Sequence, residues 1–156
     1  MVGQKSGNDQ VLLTLVERKS REYWMLLIKN RHADSVMEVF EALQGIYSEH
    51  FSQVFKTITT DNGSEFSRLS ELEELAETLV FYTHPYTSCE KGTNERHNGI
   101  LRRFIPKGKR ISDFDVDNIA DIEVWCNSLP CKILNYRTPD EVFEDELDLI
   151  YRQTAS

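Results

Sequence analysis

Two acidic residues stand where the surrounding pattern gives a carboxylate something to do. Asp61 closes a short β-branched run, residues 56–60, and is followed by the turn pair Asn62 and Gly63. Ligand groups in open α/β sheets gather at the carboxyl ends of strands, so a carboxylate there is placed to hold a ligand. The same position equally suits an Asx-turn, or a cap on a helix after Gly63. Glu95 follows Gly92, Thr93 and Asn94 into the first turn of a predicted helix. A helix N-terminus stabilises a negative charge with or without a ligand. Asn98 and Arg102, three and seven residues on, fall near the same helix face, because seven residues make close to two turns.

Around Glu95 the charge changes sign. Residues 91–110 hold seven basic side chains (Lys91, Arg96, Arg102, Arg103, Lys107, Lys109 and Arg110) against Glu95 alone, a local net of +6. The whole chain carries −8, so the remainder carries −14, much of it at residues 71–77 and 140–148. A total of −8 argues against a protein that coats itself in phosphate contacts. One basic segment on an acidic body fits a module that meets a polyanion at one place.

The elements that must position these groups follow from periodicity. Residues 11–16 and 23–28 are apolar on both faces, Thr14 being the polar exception in the first. They are expected to be buried strands joined by the polar residues 17–22 as antiparallel neighbours. Val2 and Gly3 read as the end of an earlier strand before a turn. Val36, Val39, Phe40, Leu43, Ile46 and Tyr47 follow helical spacing, with Asp34 or Ser35 as the expected cap. Residues 69–79 read as a helix with an acidic outer face, and 80–83 as a strand stopped by Pro85. Residues 93–104 read as a helix broken by Pro106 and Gly108. Ser112 is expected to cap a helix through residue 127, with Val116, Ile119, Ile122 and Trp125 facing inward. Pro139 opens a short last helix at its first position.

Length and this order predict one domain over residues 1–156, with residues 112–150 as its C-terminal helical part. The expected architecture is a mixed sheet, an antiparallel meander followed by β-α-β units, with helices on both faces. No apolar run approaches the roughly 20 residues that span a bilayer, and the first residues lack a signal-peptide pattern. Cys89, Cys126 and Cys131 form no zinc pattern with the four histidines and are expected as reduced thiols. A cytoplasmic protein with no membrane contact is therefore expected. Trp24 and Trp125 are expected in the core, while His97 and Tyr86 have no assigned role.

A family resemblance begins at the two acids. Thr59-Thr60-Asp61-Asn62-Gly63-Ser64-Glu65-Phe66, Pro85-Tyr86-Thr87-Ser88 and Lys91-Gly92-Thr93-Asn94-Glu95-Arg96-His97-Asn98-Gly99 resemble the second and third acidic motifs of the insertion-sequence-30 family of bacterial transposases. They resemble the retroviral integrase superfamily more loosely. Asp61 and Glu95 are separated by 33 residues, the spacing that family shows. The likeness continues at residues 13–21, at Phe104-Ile105-Pro106-Lys107-Gly108 and at Tyr136-Arg137-Thr138-Pro139-Asp140-Glu141-Val142-Phe143, so it runs in order along nearly the whole chain.

The resemblance implies a ribonuclease-H-like five-stranded mixed sheet, its first three strands antiparallel and the rest parallel. It implies a DDE transposase catalytic core that hydrolyses a phosphodiester and then joins the freed 3′-hydroxyl to a second one. Asp61 and Glu95 would then hold Mg2+ or Mn2+, hard cations that prefer oxygen ligands. DNA, both transposon ends and target, would be the partner, contacted by Lys91, Asn94, Asn98, Arg102, Arg103 and Lys107, and the protein would act as a homo-oligomer. The family's first catalytic aspartate would fall before Met1, since Val2-Gly3-Gln4-Lys5 matches the stretch that follows it. A truncated and inactive fragment is therefore expected. Leu129 and Asn135 stand where the family more often has arginine and glycine. The alternatives are a structure-specific nuclease on the same fold and a non-catalytic DNA-binding or dimerisation module.

Overall fold

The computed structural model describes residues 1–3, 9–83 and 92–154, the side chains of 92–95 and 154 excepted. The chain divides into two compact units. One comprises Met1–Asn30 and Lys91–Asp148, and the other Arg31–Glu90 and Leu149–Ser156.

In the first unit the two expected strands form. Strand β1, Val11–Val16, pairs antiparallel with β2, Tyr23–Ile28, in a register from Val11 opposite Ile28 to Val16 opposite Tyr23. The turn between them is held by Glu17, whose carboxylate accepts the backbone N–H groups of Lys19 and Ser20 and the Ser20 hydroxyl. Arg21 closes the turn at φ 67°. Val2 bridges Leu12 antiparallel through two 2.8 Å hydrogen bonds, so the opening residues do behave as a strand end.

Helices α4, Gly92–Phe104, and α5, Val116–Asn127, belong to the same unit. Leu101 and Ile105 from the end of α4, Ile119, Ile122 and Cys126 from α5, and Leu12, Tyr23 and Met25 from the strands make one buried cluster. Each such side chain contributes roughly 1.5–3 kcal/mol relative to exposure. Ser112 does not cap α5. A short 3-10 turn, Ile111–Asp113, intervenes, and the Asp115 side chain accepts from the Asn118 N–H at 2.7 Å. Residues spaced by three drift about 60° per step around a helix of 3.6 residues per turn, so Ile119 and Ile122 are buried while Val116, at 66%, and Trp125, at 40%, are exposed. The expectation that all four face inward is thus half corrected.

Helix α6, Pro139–Thr154, opens on Pro139 as expected but is far from short. Its start is a reciprocal capping box, since the Glu141 carboxylate accepts the Thr138 N–H and the Thr138 hydroxyl accepts the Glu141 N–H.

In the second unit, α1 spans Ala33–Tyr47 and buries Val36, Met37, Phe40 and Leu43. Its cap position falls on His32, which makes no side-chain cap bond. Asp34 lies within the first turn instead and pairs with Arg68, so neither Asp34 nor Ser35 is the cap. After the four-residue α2, Phe51–Val54, strand β3 runs Thr57–Thr60. Helix α3, Glu71–Ala76, leads to β4, Leu79–Tyr82, which pairs parallel with β3, Thr57 opposite Leu79 and Thr60 opposite Tyr82. The predicted helix over 69–79 is corrected at both ends. Glu77 turns left-handed at φ 53°, because the Leu79 N–H is drawn to the Lys56 carbonyl at the start of the parallel pair. Among the described residues each sheet has two strands.

Candidate active site

Asp61 directly follows β3 in an exposed position, and the second unit holds it there through its backbone. The Thr83 N–H donates to the Thr60 carbonyl at 2.8 Å, and the Asn62 amide donates to the Thr83 carbonyl at 3.3 Å. Both bonds tie the loop after β3 to the end of β4. The Gly63 N–H donates to Asp61 Oδ1 at 3.2 Å, so the Asx-turn is present. A Cβ on Gly63 would lie 2.6 Å from Glu65 Oε2 and 3.0 Å from Asp61 Oδ1. A larger residue there would have to displace the Glu65 side chain, because two carboxylates crowd the α-carbon of Gly63. Arg31 lies 3.8 Å from Glu65 and balances part of that charge.

Glu95 occupies the first turn of α4, in the other unit, and its side chain lies outside the described residues. The same holds for the side chain of Asn94, and Lys91 lies wholly outside them, as do Tyr86 and Cys89. One turn after Glu95, Asn98 faces inward. Its Oδ1 accepts the Tyr23 hydroxyl at 2.9 Å and the Thr14 hydroxyl at 3.3 Å. Asn98 therefore locks α4 onto the strand pair. His97 packs on Tyr23, with ring centroids 5.1 Å apart. Half-buried Arg102 points its guanidinium toward the Ile105 carbonyl at 3.5 Å, while Arg103 and Lys107 are exposed.

Sequence reasoning missed the network behind Asn98. Asn127 on α5 accepts the Tyr23 N–H and donates to the Tyr23 carbonyl at 2.9 Å and to Glu22 Oε1 at 2.9 Å. Four residues earlier, Glu123 accepts the Met25 N–H. Burial raises the Tyr23 hydroxyl above its usual range, so it stays a donor. Glu22 is 6% exposed, and its Oε2 has no hydrogen-bond donor among the described residues. Burial first, and then the Asp140, Glu123 and Glu144 carboxylates, push its pKa up to about 8. Burial also raises Glu123, against the lowering pull of the Met25 N–H. Thr14, the polar break in an apolar strand, was the one visible sign of this network.

Among the described residues no three His, Cys, Asp or Glu side chains gather as metal ligands. No helix is long and apolar enough to cross a membrane. Cys126 and Cys131 are free thiols.

The fold defines the class. It is similar to the crystal structure of the catalytic core domain of BIV integrase, with a TM-score of 0.68 at 20% identity over 91% of this chain and 90% of that one. The chain is thus a mixed α/β fold of the integrase-core type. Its sequence is similar to those of insertion-sequence transposases. It is 35% identical over 144 residues to the probable transposase for insertion-like sequence element IS1161 of Streptococcus salivarius, covering 92% of this chain and 40% of that protein. It is 34% identical over 134 residues to the transposase for insertion sequence element IS4351 of Bacteroides fragilis, covering 85% and 40%. With transposase InsI for element IS30A of Escherichia coli K12 the identity is 31% over 133 residues, covering 85% and 34%. Over the matched stretch the chain is thus similar to insertion-sequence transposases, that of IS30 among them. It spans two fifths or less of the length of these relatives. No protein-family model matches.

Proposed function

We propose that this chain is the catalytic core of a DDE-type DNA transposase, hydrolysing a phosphodiester at a transposon end and joining the freed 3′-hydroxyl to target DNA. The observation that carries this reading is the 30–35% identity to transposases along 85–92% of the chain. In this reading one five-stranded mixed sheet, with helices on both faces, forms a single domain. It works in the cytoplasm as a homo-oligomer on DNA.

Asp61 and Glu95 are the proposed holders of Mg2+ or Mn2+. The donor set fits, because carboxylate oxygens are the hard ligands such cations prefer, and Asp61 is exposed at the carboxyl end of β3. When bound, the ions would supply activation of the attacking oxygen and stabilisation of the leaving one. The chain's own residues do the rest. The Gly63 N–H fixes the rotamer of Asp61, and Asn98 fixes the rotation of α4 one turn beyond Glu95. Lys91, Asn94, Arg102, Arg103 and Lys107 are the proposed DNA contacts, the cations among them through phosphate. Asn98, proposed as a DNA contact from its place in the motif, acts in this reading chiefly by positioning α4.

The test is joining of a labelled transposon-end oligonucleotide to a target plasmid with Mg2+ or Mn2+, beside a thermal-shift titration with Mn2+. In the chain itself Asp61→Asn is expected to remove the Mn2+-induced stabilisation, and in a chain extended to carry the family's first aspartate it is expected to abolish joining. Cutting without joining would establish the nuclease alternative. Loss of neither signal in the variant would leave the non-catalytic module.

A further inference from the structure

Trp125 is the aromatic that the sequence placed in the core and the structure leaves 40% exposed. It stands over a depression of about 430 Å³ lined by Arg96, Gly99, Ile100, Arg103, Trp125 and Leu129. The first four belong to one face of α4, at helical spacing. Arg96 and Arg103 are both exposed, and neither has an ion pair or hydrogen bond among the described residues. Seven residues put them about two turns apart, roughly 10 Å along the axis, on the same side.

Between the two cations the floor is open. A Cβ on Gly99 would meet nothing within 4 Å. The Trp125 ring is braced rather than loose, lying edge-on to Phe104 with centroids 4.9 Å apart. A braced aromatic lining the same depression as two guanidinium groups with no partner among the described residues is the chemistry that binds a nucleic-acid strand without reading its sequence. The base stacks on the ring, and its flanking phosphates meet the cations.

We propose that this cleft holds a single-stranded DNA segment, with an unstacked base against Trp125 and phosphates at Arg96 and Arg103. The inference deepens the proposed function, since it rests on DNA being the substrate. It assigns Trp125, Gly99, Arg96 and Leu129 a part that the metal chemistry does not require. Duplex DNA keeps its base faces stacked inside and cannot offer one to the indole. A second copy docking this face on itself by a two-fold axis would bring the arginines of one copy toward those of the other.

The test needs neither metal nor catalysis and is run on the whole chain in EDTA. Trp24→Phe leaves Trp125 as the only tryptophan. Titration with a thymidine oligonucleotide is expected to quench its fluorescence, and a duplex of equal length is expected to bind at least threefold more weakly. Gly99→Leu fills the floor and is expected to weaken single-strand binding about tenfold, with circular dichroism and melting temperature unchanged. Arg96→Gln with Arg103→Gln is expected to reduce the log–log salt slope by about 1.4, the value for two single-strand phosphate contacts.

Should the Trp24→Phe chain fold poorly, anisotropy of a labelled oligonucleotide on the unsubstituted chain and on Gly99→Leu gives the same comparison. Equal affinity for strand and duplex, or indifference to Gly99→Leu, would overturn the proposal. So would concentration-dependent dimerisation that Gly99→Leu abolishes, which would make the face a contact between copies. A chain that joins DNA ends yet ignores the cleft variants would keep the catalytic reading and lose this one. One that binds single strands here but never joins ends, even when extended to carry the family's first aspartate, would do the reverse.

Discussion

Glu22 shows how a single buried carboxyl sets a pH range for the fold. With its pKa raised from 4.5 to about 8 in the folded chain, it holds a proton there that the unfolded chain releases. Its contribution is therefore complete below pH 4.5 and is lost as pH rises through 8. Glu22→Gln keeps an acceptor for Asn127 and cannot ionise. Between pH 5 and 9 the melting temperature of the unsubstituted chain is expected to fall more steeply than that of the variant. The variant's advantage should reach roughly 2–4 °C for each kcal/mol recovered. Parallel melting curves in Glu22→Gln would refute the assignment. None of this was legible in the sequence, where Glu22 reads as one more polar residue of a hairpin loop. Its burial depends on Asn127 and Asp140, more than a hundred residues away.

At the scale of elements, α4 is positioned by polar bonds as well as by its apolar face. Leu101 and Ile105 bury it against β1, and Asn98 fixes its rotation through Tyr23 and Thr14. Tyr23→Phe and Asn98→Ala, alone and combined, form a cycle that isolates this link. A coupling of about 1 kcal/mol is expected from urea unfolding. If Asn98 acts only by touching DNA, the two losses will simply add.

The strands and α4 could be read from the sequence because their signals are local: two-sided apolar runs, and a periodic face stopped by Pro106. The end of α3 could not, because Glu77 adopts its left-handed turn in answer to β3, and no residue near Glu77 announces it. The face of α5 was misread because a strict spacing of three, carried from Val116 to Trp125, drifts about half way round the helix and cannot stay on one face. The place of Asp61 and its Asx bond were legible, since an Asp-Asn-Gly turn after a β-branched run carries both.

For the molecule as a whole, charge is segregated rather than balanced. The +6 of residues 91–110 sits in a chain of −8, so DNA affinity should depend on where a charge is changed more than on how many are changed. Arg103→Gln with Lys107→Gln is expected to weaken DNA binding about tenfold at 0.1 M salt. Glu74→Gln with Asp148→Asn, an equal number of sites outside the strip, should alter it less than threefold. Comparable effects from the two pairs, read by anisotropy, would mean that net charge governs.

The bonds from α5 to β2 also bear on how copies of this chain meet. Asn127 occupies both the N–H and the carbonyl of Tyr23, and Glu123 occupies the N–H of Met25, two residues on. Those groups point away from β1 and would otherwise form an open strand edge, the kind of template on which another chain adds as a further strand. Two side chains one helical turn apart thus stopper that edge. They take the Tyr23 and Met25 end of that edge out of self-templated growth, whatever assembly the protein forms through its other faces.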